Sequence, residues 1–122
     1  MLKVGTSRAD ITPPVGMPHA NWGSSTHQVA EGIDMPMYCY VMYLESESNG
    51  NKVIILDLDL CIIDDEIDQM IRNAVISVID IPKENIRISV SHTHAGPPYG
   101  RSDSTGGGWI TEGVELIKPY YD

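Results

Sequence analysis

Basic residues are scarce in this chain: 8 Lys plus Arg stand against 17 Asp plus Glu, a formal charge of -9 over 122 residues. A surface of that sign repels nucleic acid and anionic membranes through long-range electrostatics, which sets nucleic-acid binding aside. Cysteine is scarce too. Cys39 and Cys61 each lie in an apolar run, with neither a Cys-x-x-Cys spacing nor a dense disulfide pattern, so they read as buried free thiols. The expected compartment is therefore reducing and cytoplasmic, or secreted where a signal peptide has been removed. No apolar stretch approaches the roughly 20 residues of a membrane helix, and Met1-Leu2-Lys3-Val4-Gly5 leads into polar sequence without a leader-type apolar core. What remains is 42% hydrophobic and 20% charged, the balance of one small folded domain with a real core.

Elements follow from periodicity and breakers. Lys3 to Ile11 reads as a strand ended by Thr12-Pro13-Pro14, whose prolines remove backbone donors. Val15 to Asp34 has little periodicity and is too long for a mere connector; Trp22 within it argues for packing against something. Met37 to Leu44 and Lys52 to Leu60 are β-forming runs joined by the turn signal Ser48-Asn49-Gly50-Asn51, which predicts an antiparallel hairpin. The second run is almost continuously apolar, the pattern of a strand buried on both faces. From Asp64 to Ile79 the stripe Ile67, Met70, Ile71, Ala74, Val75 and Val78 predicts an amphipathic helix, with Asp64-Asp65-Glu66 at the positive end of its dipole. Pro82 ends it and Ile86 to Val90 begins another strand. The fold class expected is α/β: a β-hairpin joined to a βαβ unit, the N-terminal segment of a larger α/β hydrolytic domain. Leu116 to Asp122 looks like a helix just beginning, so residues 1–122 read as a domain cut short.

The chemistry concentrates at Ser91-His92-Thr93-His94-Ala95-Gly96-Pro97, where the apolar strand runs into a long glycine-rich segment. In an extended backbone residues two apart point to one side, so His92 and His94 are expected to face one cleft. Imidazole suits zinc and its neighbours, and Lewis acids activate water for hydrolysis near neutral pH. The plainer alternative is two hydrogen-bonded histidines at a strand end. Chemistry at the carboxyl ends of strands is the rule for open α/β sheets, and that favours function. Asp59 is a candidate to orient a metal-bound histidine, against capping the nearby helix; Asp57 reads as structural. His19 and His27 fit solvent-exposed or hydrogen-bonded roles better than catalytic ones, and Gly106-Gly107-Gly108 reads as flexible loop before lid hinge.

Four segments together resemble the N-terminal region of the neutral/alkaline non-lysosomal ceramidase family. They are Gly5 to Pro14, Trp22-Gly23 through Thr26-His27 to Ala30-Glu31-Gly32, Asp57 to Leu60, and Val90 to Pro97, in family order. The resemblance implies a zinc-dependent amidase that cleaves the N-acyl bond of ceramide, giving sphingosine and a fatty acid. It implies that His92 ligates zinc and that His94 is a catalytic residue touching substrate or transition state. The family's further ligands, a histidine, a glutamate and a tyrosine, lie downstream of the region matched. Asp34 stands where many relatives carry histidine. The expected partner is a small lipid or N-acyl amide, with no transmembrane segment and a second copy of the chain as a candidate associate. Two rivals stand beside the amidase: another metal hydrolase whose site begins with His-x-His, such as a deacylase or phosphoesterase, and a catalytically inactive binding domain.

Overall fold

The computed structural model describes residues 1–19, 26–98 and 110–122. Trp22 and Gly106 to Gly108, singled out above, lie outside the described residues. Four strands form one sheet in the order β1 (Leu2–Asp10), β2 (Tyr38–Ser46), β3 (Lys52–Leu58), β4 (Ile86–Val90). β1 and β2 are antiparallel, β2 and β3 form the expected hairpin, and β3 runs parallel to β4 across helix α1 (Asp65–Val78). A short helix α2 (Ile117–Tyr121) follows a single 3-10 turn near the end of the chain. The α/β class, the hairpin and the βαβ unit are all present, and β1 extends the hairpin to a three-strand meander. No helix among the described residues is long and apolar enough to cross a membrane.

Pleat alternation decides what is buried. Ile54, Leu56 and Leu58 of β3 point to one side, opposite Tyr43, Val41 and Cys39 on β2 and Ile86, Ile88 and Val90 on β4. Ile71 and Val75 of α1 cover this face, and each large aliphatic side chain withdrawn there contributes about 1.5–3 kcal/mol. Asp64 caps α1, its carboxylate accepting from the Ile67 amide at 2.9 Å. Arg72 then pins the helix to the sheet: it forms a two-point ion pair with Asp68 and donates to the carbonyls of Lys83 and Ile86.

Two expectations need correction. β3 is buried on one face only, because Val53 on the other side is 39% exposed and Asp57 is exposed as well. An apolar run states a preference for burial and does not say whether a covering layer is present. Val78 is 84% exposed at the last turn of α1, while Ile79, where the backbone turns extended, packs into the core in its stead.

The C-terminal segment contributes more than a helix start. Ile117 is fully buried, as is Met17 of the N-terminal loop. Tyr120 donates to the Ile11 carbonyl and Tyr121 to the Pro98 carbonyl, each at 2.6 Å. Burial, with Asp10 adding to it, pushes the Tyr120 phenol up to about 12. Burial also pushes Tyr121 up, with Tyr120, Asp64 and Cys61 in support. Both phenols therefore stay protonated and keep donating at any ordinary pH.

Candidate metal and catalytic centre

The site is built where β3 and β4 end side by side. The parallel register carries Leu58 opposite Val90, and the ladder continues past the strands: the Ser91 amide donates to the Leu58 carbonyl and the His92 amide to the Leu60 carbonyl, both at 3.0 Å. This brings Cys61, just beyond β3, against His92, just beyond β4. The strand has already ended at His92, whose φ is +61°, the one left-handed non-glycine residue described. Such a backbone costs a non-glycine residue about 1–2 kcal/mol, and the simple alternation expected of His-x-His does not apply. The two rings nonetheless meet, edge to face, with centroids 5.0 Å apart. The turn brings about the convergence that an extended strand was expected to supply.

His92 Nδ1 lies 2.9 Å from the Cys61 backbone oxygen. A carbonyl only accepts, so Nδ1 carries the hydrogen, and the neutral ring keeps its lone pair on Nε2. A backbone carbonyl on one ring nitrogen with the other left free is the usual preparation of a metal-ligating histidine. The residues present thus fit a bound cation. Sequence reasoning offered Asp59 for this orienting role. Asp59 instead accepts from the Tyr38 amide and donates its own amide to the Tyr38 carbonyl, both at 2.9 Å, closing the β2–β3 edge. Helix capping, the other role weighed for it, belongs to Asp64. Asp57 accepts from the Ser89 hydroxyl at 3.1 Å and is structural, as expected.

Thr93 and Ala95, on either side of His94, form part of the wall of a cleft of about 560 Å³. Ile33, Met35 and Met37 give it an apolar side, and Glu31, Asp34 and Asp59 an acidic one. His19 and His27 both reach this cleft, with ring centroids 4.8 Å apart. His19 Nε2 is shielded and has no partner among the described residues. Burial, then the neighbouring His27, lowers the His19 pKa, so its imidazole is neutral at pH 7. Their closeness across a loop of weak periodicity had no sequence signal.

A family model described as neutral/alkaline non-lysosomal ceramidase, N-terminal, matches residues 2–105. The chain belongs to this family. Curated ceramidases agree: a neutral ceramidase of Oryza sativa subsp. japonica is 30% identical over 100 residues, and neutral ceramidase 1 of Arabidopsis thaliana 29%. Those matches take in 77% of this chain and 12% of each plant ceramidase, so the chain spans about an eighth of its relatives' length. Among solved structures, a ceramidase complexed with C2 superposes with a TM-score of 0.75 at 21% identity, covering 98% of this chain and 19% of that one. The neutral ceramidase of Pseudomonas aeruginosa gives 0.72 at 21% identity. At that identity the likeness speaks for the ceramidase fold alone, and over nearly the whole chain.

Proposed function

We propose that this chain is the N-terminal part of a zinc-dependent amide hydrolase of ceramidase type, with His92 as metal ligand and His94 as the catalytic residue beside it. The observation that carries the reading is the Cys61 carbonyl on His92 Nδ1, which leaves Nε2 as the ring's donor atom at the carboxyl ends of two parallel strands. A bound cation supplies Lewis acidity, lowering the pKa of water and polarising a carbonyl. His92 is fixed by its backbone turn and its carbonyl bond, so it holds one direction in space without rearranging. His94, edge-on to it, donates to the oxyanion that develops as the amide carbonyl is attacked. Ile33, Met35 and Met37 give an acyl chain an apolar wall, and the acidic side favours the protonated amine released.

In the full gene product, fatty acid should be released from N-acylsphingosine, chelators should abolish the release, and added zinc should restore it. Chelator-resistant turnover would remove the metal from the reading. Activity confined to phosphate esters or sugar amides would keep the metal and remove ceramide. The free thiols Cys39 and Cys61 suit the reducing, cytoplasmic location we assign.

The open face of the sheet bears on association. Leu2, Val4, Tyr40, Met42 and Val53 line it and are 39–60% exposed, a contiguous apolar surface of the kind that drives contacts. The 122-residue chain should therefore self-associate, with light scattering giving a mass above 13.4 kDa. Met42→Lys, at the centre of the face, should shift it toward monomer. A monomer at high concentration before substitution would count against this.

A further inference from the structure

His19 and His27 have no part in the mechanism above, yet the backbone brings them together from opposite sides of a small antiparallel ribbon. The His19 amide donates to the Gln28 carbonyl at 3.0 Å, the Gly16 amide to the Ala30 carbonyl and the Ala30 amide to the Met17 carbonyl at 2.9 Å each, and Pro18 bridges Val29. Met17 and Pro18 are fully buried, so the ribbon is anchored in the fold. The two imidazoles lie with centroids 4.8 Å apart, tilted by 50° and not stacked. His19 Nε2 is shielded and unpartnered among the described residues, an orphan of the kind folded chains avoid. We propose that His19 and His27 form a second cation site, separate from that at His92, which takes a divalent transition metal such as zinc on one nitrogen of each ring.

Zinc–nitrogen bonds of about 2.0–2.1 Å place two imidazole centroids roughly 5 Å apart around a tetrahedral ion. The rings already stand 4.8 Å apart, so binding asks for rotation of side chains and not for movement of the ribbon. The exposed His27 ring can turn and admit the ion beside the shielded His19. His19 is prepared much as His92 is. Its ring donates to the Val29 backbone, and because Nε2 has no partner the donor is Nδ1, which leaves the Nε2 lone pair for a metal. With burial keeping the ring neutral, ligation there displaces no proton. The Glu31 carboxylate lines the same cleft and acts on His19 electrostatically, a negative charge that offsets part of the ion's own. Two imidazoles favour zinc, copper or nickel over magnesium and calcium, which take oxygen ligands. With two positions taken by protein, the others go to water or to an anionic group entering the cleft.

Ring-nitrogen NMR reads each histidine by itself. Zinc is titrated into the isotope-labelled chain carrying His92→Ala and His94→Ala, in which His19 and His27 are what remains of the chain's 4 histidines. One nitrogen of each ring should shift, the two moving together and saturating at a single equivalent, while magnesium leaves both in place. Adding His27→Gln, a change at an exposed position, should abolish the zinc shift of His19. Movement of His27 alone, a His19 shift that survives His27→Gln, the same shifts with magnesium, or no shift with zinc would overturn the site. Should the chain lacking both strand-end histidines fail to fold, the same criteria apply to His19 and His27 resonances in the unsubstituted chain. There, zinc shifts at His19 and His27 without any at His92 would support this site while counting against the first.

Discussion

Replacing His94 by alanine should lower kcat for amide hydrolysis in the full gene product by about 10²–10³-fold, the effect of removing one donor to a developing oxyanion. His92→Ala should cost more, because it removes the cation's anchor and with it the Lewis acid: zinc content measured after dialysis should fall along with the rate. The two variants separate the roles. His94→Ala is expected to keep its zinc and lose turnover; His92→Ala is expected to lose both. The wall proposed to meet the acyl chain is built by Ile33, Met35 and Met37, so the ranking of acyl-chain lengths should be unchanged in both. Turnover near the unsubstituted level in both variants would sink the mechanism. Zinc lost from His94→Ala and retained in His92→Ala would reverse the assignment.

How far the chain discloses this site depends on the distance over which each signal acts. Alternation along Tyr38–Ser46 and Lys52–Leu58, the Asn49-Gly50 turn and the α1 stripe are local, and so are legible. His-x-His at a strand end is also local, and its position at the edge of the β3–β4 pair follows once the βαβ unit is seen. The left-handed backbone of His92 is not announced by any neighbouring glycine, because a long-range hydrogen bond from its amide to the Leu60 carbonyl holds it. The orienting group was missed for a related reason: carboxylates catch the eye as partners of histidine, whereas every residue has a carbonyl, and only the parallel register selects that of Cys61. The Cys61 thiol, read as ordinary core, lies against His92 by the same register. The clasp by Tyr120 and Tyr121 joins residues 109 and 23 positions apart, beyond any pattern in the chain.

That clasp gives the largest stability effect expected outside the core. Gly113 begins the C-terminal turn with φ +69°, a conformation only glycine adopts freely. A Cβ there would collide with the Gly16 backbone oxygen and press on Pro18 Cδ at 3.1 Å and Val29 Cγ1 at 3.2 Å. Gly16, Pro18 and Val29 belong to the loop that carries His19 and His27 into the cleft, and the Pro18–Val29 bridge holds that loop together. The colliding oxygen is backbone, with no rotamer to swing aside, so the loop or the turn must move. Gly113→Ala should thus cost about 1–2 kcal/mol for the left-handed backbone and about 1–3 kcal/mol for overpacking. Together these lower Tm by on the order of 10 °C for a domain of this size. Because the strain falls on the loop next to His19 and His27, the hydrogen bond from the Thr111 amide to Gln28, which ties the same loop to the C-terminal segment, should loosen. Amide exchange at Thr111 should then accelerate more than at Leu56 in β3. An unchanged melting temperature in Gly113→Ala would mean that the turn at Gly113 does not brace the loop.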